Sequence, residues 1–424
     1  MILGGSQSRN GRARSLPWLF AMIGIAVAGL LPFFALLLRS RGLRADQIGV
    51  VLATLALANL VIGPIWGHVA DTRSGRIRAI RTAAVASIAA GVGYAFLAHR
   101  FWFFLFGAAL LSSAWAPVVP LGDALAVVRL GEGALVEYGR IRLWSSIGYA
   151  VAILAFGAAL EVIDLTAVLL FFACAAGAIA VWAFREPPDP AEHIAQSRLG
   201  AAGDVIRVAP RLAPFLAATL LVGIGTTAAW QFLPLRIVGG GGGPFLVGVA
   251  GALGAGMEVP VMRSISRLTN RLSLRGVYAC GCAAYVLVFV IWSLADNALL
   301  VSVLAALEGV GFALTYTSVV IIVGRLVPER LQATGQAVRS MIVTGLAPIV
   351  GAFGGGVIYA RVSPGALFAC SAGLVVAGVA IVWPTLSAPA FSKRALRFEV
   401  GPMEAIPPPL GSGSVPPPEG VTRG

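Results

Sequence analysis

Charged residues are scarce in this chain of 424 residues, 12% of the total against 58% hydrophobic. So few charges cannot cover the surface of a soluble domain of this length. Cysteine is also rare. Cys174, Cys280, Cys282 and Cys370 all fall within apolar stretches, which excludes a disulfide framework. The histidines His68, His99 and His193 are far apart, so no Cys/His metal site is expected. The glycine run 239–243 lacks the Lys and Ser/Thr that complete a phosphate-binding loop and reads as a flexible connection, so ATP-driven pumping has no support. No cofactor is expected. The loops are short and hold no nucleophile or metal motif, which argues against a polytopic membrane enzyme. The net charge of +13 comes from basic residues in short loops rather than on one amphipathic face, so nucleic acid is not an expected partner.

What the chain has instead is apolar length. A bilayer core about 30 Å thick needs roughly 20 apolar residues per helix. Twelve such stretches run near 17–38, 46–69, 79–98, 101–128, 141–162, 165–184, 212–237, 244–264, 276–295, 298–323, 333–358 and 364–384. The expectation is an all-α membrane protein of twelve transmembrane helices. Placing the amino terminus in the cytoplasm puts 25 Lys and Arg inside and 6 outside, so both termini are expected on the cytoplasmic side of a bacterial inner membrane. Arg39, Arg41 and Arg44, in the first outer loop, dissent locally and are outnumbered. Arg9, Arg12 and Arg14 precede a first stretch too long for a secretory signal, which is therefore expected to stay as an anchor.

Features recur across a polar divide. Pro64 and Pro260 lie 196 positions apart, as do Gly139 and Gly335. Two pseudo-symmetric six-helix bundles follow, 17–184 and 212–384, joined by a cytoplasmic linker, 185–211, with a cytoplasmic tail at 1–16. Repeats of this kind place a substrate site between the halves near midplane. Beyond Pro384 the segment 385–424, with Pro407 to Pro409 and Pro416 to Pro418, is expected to be a disordered cytoplasmic tail.

The loop after the second stretch reads Gly67-His-Val-Ala-Asp71-Thr-Arg73-Ser-Gly75-Arg76-Ile-Arg78. It resembles the Gly-x-x-x-Asp-Arg-x-Gly-Arg-Arg signature of the major facilitator superfamily, with one extra residue between Asp71 and Gly75. The resemblance implies that this loop latches helix ends in one of two access states. After the eighth stretch Arg263, Arg267, Arg271 and Arg275 recur without the acid. Ala116-Pro-Val-Val-Pro-Leu-Gly-Asp123 with Tyr138-Gly-Arg140-Ile-Arg142-Leu-Trp144 is similar to the phenylpropionate-permease-like branch. So are Glu258-Val-Pro260 and Ala333-Thr-Gly-Gln336. The resemblance covers nearly all of 17–384 and implies a monomeric carrier of a small organic solute, an aromatic acid being the class it suggests. Where that branch often carries histidines, this chain aligns Glu308 and Tyr316.

Of eighteen acidic residues all but Asp123, Glu258 and Glu308 lie in loops, tails or the ends of the apolar stretches. A charge inside such a stretch costs about 2.5–3.5 kcal/mol on insertion scales, so each of these three needs a partner, a cavity or a proton. Glu308, about ten residues into its stretch, is the first candidate for proton coupling. Asp123, nearer the cytoplasmic end, is also open to pairing with Arg140 or Arg142. Helical spacing puts Glu308, Gly311, Phe312 and Thr315 on one face, Thr227, Trp230 and Gln231 on another, and Ser112, Trp115, Val119 and Asp123 on a third. With Arg142, Trp144 and Tyr316, these aromatic and polar groups are the substrate-cavity candidates, and packing between helices is the plain alternative for each. The fifth stretch has no proline of the kind antiporters of this superfamily carry, which favours proton symport over an exporter of drugs or sugars. A receptor or scaffold would leave the three intramembrane acids unexplained.

Overall fold

In lipid the backbone finds no water to bond, so each apolar stretch must satisfy its own N–H and C=O groups as a helix. The structure, a computed structural model, describes residues 15–130, 134–189 and 201–386. Residues 190–200 of the linker, 1–14 of the amino-terminal tail, 131–133 and the proline-rich segment 387–424 lie outside the described residues. The spans are α1 (Leu16–Ser40), α2 (Ala45–Ser74), α3 (Arg76–Leu97), α4 (Phe101–Leu130), α5 (Glu137–Ala159), α6 (Ala167–Arg185) and α7 (Leu212–Gly239). A 51-residue helix, Pro244–Leu294, follows and holds two spans, because Ser273 breaks it at φ 69°. We treat these as α8 (244–272) and α9 (274–294). Then come α10 (Ala298–Leu326), α11 (Thr334–Arg361) and α12 (Pro364–Leu386). Twelve spans result, arranged as two six-helix bundles.

Local sequence sets the ends and breaks. Pro17 sits in the first turn of α1, where its missing N–H costs nothing, and Arg39 in the last turn complements the helix dipole. α4 is interrupted at Ala116 and Pro117 and resumes at Val118, since proline cannot supply the interior hydrogen bond. Within the linker a short helix, Ala201–Val208, places Val205 in the core. Composition alone shows that segment only as polar.

The bundles meet at one end and part toward the other. Near the loops that follow α1, α5 and α7, small residues let backbones touch. A methyl group on Gly49 of α2 would lie 2.5 Å from the Ala352 carbonyl of α11, and one on Gly356 would lie 2.6 Å from the Ala45 carbonyl. On the second crossing, a methyl on Gly248 of α8 would lie 2.6 Å from the Ile153 carbonyl of α5. Toward the opposite end burial stops at similar depth on three of these helices. α2 has no buried residue from 53 to 69, α8 none from 255 to 272, and α11 none from 336 to 344.

At the parted end lies the loop with the extra residue. Ala70–Ser74 forms a π-helical turn, closed by Gly75 N donating to the Ala70 carbonyl at 2.9 Å. A π turn absorbs one inserted residue without ending the helix. Gly75 then takes φ 73°, ψ 161°, and Ser273 takes φ 69°, ψ 162° at the matching place between α8 and α9. Only glycine adopts that backbone without strain. The acid that holds the start of α3 is Asp189, from the linker. Its carboxylate accepts from the backbone N–H groups of Arg76 (3.0 Å) and Ile77 (2.8 Å), and lies 3.9 Å from the Arg76 guanidinium. Asp71 makes no ion pair or hydrogen bond among the described residues, Arg73 and Arg78 are exposed, and a methyl on Gly67 would touch nothing. In this structure the loop named from the signature therefore engages the linker through Arg76 rather than a partner helix through Asp71.

Removing the cap with Asp189→Ala is expected to cost about 1 kcal/mol, the usual loss at a helix amino terminus, read as a lower melting temperature in detergent. Gly75→Ala should cost more, since the new methyl group both occupies a left-handed conformation and collides with the Asp189 carbonyl. Asp71→Ala should leave the melting temperature unchanged.

Candidate functional site

Directly under the closed end is a cavity of about 420 Å³ with walls from both bundles. Its size falls within the range of small-molecule sites. α1 contributes Leu30 and Phe34, α2 contributes Asn59, α4 contributes Ser112 and Trp115, and α7 contributes Thr227, Trp230 and Gln231. Thr344 and Pro348 of α11, Phe172 of α6 and Val247, Ala250 and Gly251 of α8 also line it. Helical spacing brings the α4 and α7 residues together as one would expect of side chains three and four apart. Trp115 is braced edge-to-face by Phe172 of α6, with centroids 5.1 Å apart. The Gln231 Oε1 atom is buried without a hydrogen-bond partner. Asn59 and Thr344 carried no sequence signal beyond a lone polar residue in an apolar helix.

Glu308 lies beside Gly254 of α8, which is about one helical turn along from the cavity-lining Gly251. α8 and α10 cross backbone to backbone, because a side chain on Gly309 would collide with the Gly254 carbonyl. That contact delivers the neighbouring Glu308. A methyl group at Gly254 would lie 3.7 Å from Glu308 Oε2 and 3.9 Å from the Trp230 ring. Glu258, one turn further along α8, is within electrostatic reach of Glu308, and Tyr149 of α5 is within reach of both. Neither acid makes an ion pair or hydrogen bond among the described residues, and both are half-buried. Tyr149, from the other bundle, went unnoticed in the sequence because its role depends on the α5–α8 crossing.

Asp123 is different. Its carboxylate accepts from Arg142 Nη1 at 3.0 Å and from the Tyr138 hydroxyl at 3.0 Å. This pair lies at the mouth of the parted half, with Arg142 44% exposed and stacked over Phe20. Tyr316 of α10 stacks on Phe312, lies under Arg339, and is close enough to Tyr138 to act on it electrostatically. Arg142, Phe312 and Tyr316 thus border the opening rather than the enclosed cavity, and Trp144 is exposed on α5. Thr315 is buried and donates to the Gly311 carbonyl, with its methyl against Gly281 of α9. It faces into its own bundle, so it does not line the cavity. One helical face is wide enough to touch two neighbours, and here Gly311 and Thr315 take α9 while Glu308 takes α8.

A model of the MFS_1 like family matches residues 18–370. The chain belongs to this family. As a member it resembles the maltose permease of Geobacillus stearothermophilus, at 27% identity over 88% of this chain and 94% of that protein. It also resembles the probable 3-phenylpropionic acid transporter of Escherichia coli, at 34% identity over 127 residues, which are 28% of this chain and 31% of that one. The fold matches a crystal structure of a point mutant of the nucleoside transporter NupG, with a TM-score of 0.80 and 16% identity, over 88% of this chain and all of that one. The protein is therefore a multi-pass membrane transporter of the major facilitator type.

Because the α8–α10 crossing carries Glu308, it is a sensitive place for added volume. Gly309→Ala is expected to lower stability by about 1–3 kcal/mol through overpacking, measured as thermal unfolding in detergent. Gly256→Ala, on the same α8 but with nothing within 4 Å of the new methyl group, should unfold like the parent.

Proposed function

We propose that this protein is a proton-coupled symporter that moves a small organic solute by alternating access across a bacterial inner membrane. It works as a monomer with both termini in the cytoplasm, so the parted end is the cytoplasmic opening. The observation that carries this reading is Glu308 with Glu258: two carboxylates inside a membrane bundle, within reach of each other, without a cation, and close to a solute-sized cavity. The counter-ion such a pair lacks is a proton. A proton also needs no dedicated binding cage, and it can leave whenever the site opens to the other side.

Trp230 joins the two sites, since it lines the cavity and touches the Gly254 pocket of Glu308. Asp123 with Arg142 is read as a pair at the opening, and Asp71 with Arg73, Gly75, Arg76 and Arg78 as the loop that engages when this end closes. For the solute, the relatives offer two chemistries: an aromatic acid, as in the phenylpropionic acid transporter, and an uncharged sugar, as in the maltose permease.

Proteoliposomes with an external pH dye test the coupling. A potential of 100 mV supplies about 2.3 kcal/mol per charge, enough for roughly fifty-fold accumulation by one proton with an uncharged solute. Glu308→Gln should abolish solute-driven proton entry and reduce accumulation to about one-fold, while exchange of labelled for unlabelled solute continues. Undiminished accumulation by Glu308→Gln would reject Glu308 as the coupling site.

A further inference from the structure

We propose that the solute is uncharged and polar, a polyhydroxylated or N–H-bearing ring compound, seated against Trp115 and Trp230 with the Gln231 and Asn59 amides among its polar partners. This rests on reading the cavity as the transport site. Three features of the lining carry it.

First, no side chain lining the cavity is ionisable. Arg339, at the opening, donates to Gln336 at 2.8 Å. Arg142 is paired with Asp123 at the opening. Arg236, although on α7 beside the lining residues Leu233 and Pro234, turns to the closed end and donates to the Trp292 carbonyl at 3.1 Å and to Asp296 at 3.0 Å. An anionic solute would enter a low-dielectric site with two carboxylates nearby and no cation, losing its hydration without compensation.

Second, the polar groups of the lining are all uncharged and both donate and accept: the amides of Asn59 and Gln231 and the indole N–H groups of Trp115 and Trp230 are donors, and the hydroxyls are left as acceptors. The Ser112 hydroxyl donates its proton to the Leu55 carbonyl at 2.7 Å, Thr227 donates to Gly223 at 2.6 Å, and Thr344 donates to Ser340 at 2.8 Å. A hydroxyl has one proton to give, so what each can still offer is a lone pair. Gln231 Oε1 is buried and unpartnered, so the amide of this lining residue is not held by another protein group through its oxygen. A carboxylate, itself only an acceptor, could use the amide and indole N–H groups but would leave the hydroxyl lone pairs unpaired, and a buried unpaired acceptor costs about 1–3 kcal/mol. Hydroxyl or N–H groups would satisfy them.

Third, the two indoles give apolar walls of the kind that suit the C–H face of a sugar or a planar ring. Trp115 is fixed by Phe172, and so presents one orientation.

Charge balance makes the inference measurable. An uncharged solute entering with one proton carries one positive charge per cycle, whereas a monoanion entering with one proton carries none. Only the first responds to membrane potential.

The experiment has two arms. Binding to purified full-length protein is measured by calorimetry with matched pairs: phenyl β-glucoside and phenyl β-glucuronide, adenosine and adenosine 5′-monophosphate, 3-phenylpropanol and 3-phenylpropionate. Uptake of the tightest binder is then measured in proteoliposomes with and without a 100 mV potassium diffusion potential, inside negative. At least one neutral member is expected to bind at least tenfold more tightly than its anion, with uptake that rises with potential. Gln231→Leu, checked for folding by its melting temperature, should lose at least tenfold of that affinity. Anions binding as tightly as their neutral partners would overturn the inference while leaving proton coupling intact. Failure of every neutral member to bind folded protein would also overturn it. Neutral-selective binding with potential-independent uptake would support the solute class and remove proton coupling instead.

Discussion

The two bundles touch through their backbones. At Gly49 with Gly356, and at Gly157 with Gly248, no side chain separates the helices of one half from those of the other. Lipid tails are as apolar as leucine, so nothing like the hydrophobic effect drives helices together within the bilayer, and association depends on close packing and a few polar contacts. The close glycine contacts at one end of α2, α5, α8 and α11 therefore mark where the halves meet. Further along the same helices, bulkier residues such as Leu57, Val61 and Ile65 stay uncovered, and the halves part. The cavity is the space left just below the line of contact.

One polar contact reinforces that line. Glu161, at the end of α5, accepts from Phe245 N at the start of α8 at 2.8 Å, so a carboxylate of one bundle caps a helix of the other. A capping carboxylate is worth about 0.3–1 kcal/mol, up to about 2 in a partly buried setting. That is small beside the packing of two helix crossings and comparable with the energies by which a ligand shifts a two-state carrier. A closed end held by many weak backbone contacts and one cap can open without breaking a buried ion pair.

Much of this was legible in the residues. Hydropathy marks most spans to within a few positions, although α8 runs eight residues past its apolar stretch, and spacing of three and four gathers Trp115 with Ser112, and Trp230 with Thr227 and Gln231. The remainder depends on distance in sequence that periodicity does not cross. Asp189 caps a helix more than a hundred residues earlier, and nothing in its neighbourhood marks it as a cap. Tyr149 reaches the acid pair only because α5 crosses α8. Thr315 shares a face with Glu308 yet turns to α9, since a helical face says which side chains are adjacent and not which neighbour they meet. The extra residue before Gly75 was visible as a departure from a signature, while its physical form, a π turn that preserves the glycine's backbone, is a property of the folded helix.

Coupling between the two proposed ligands comes down to a shared wall. The Trp230 indole is part of the cavity surface and also packs near Gly254, where the Glu308 carboxylate lies. A solute seated against that indole restricts its movement, and the charge on Glu308 decides whether the same space favours an ion or an apolar ring. A ligand shifts a conformational equilibrium only by its difference in affinity for the two states. The proton and the solute meet that condition jointly if each makes the other's site less costly to close. Burying the acid pair without a proton leaves two unpaired charges, and closing the cavity without a solute leaves Gln231 and the lone pairs of Ser112, Thr227 and Thr344 unsatisfied. The carrier then closes readily when both are loaded, and the half-loaded states are ones the packing opposes.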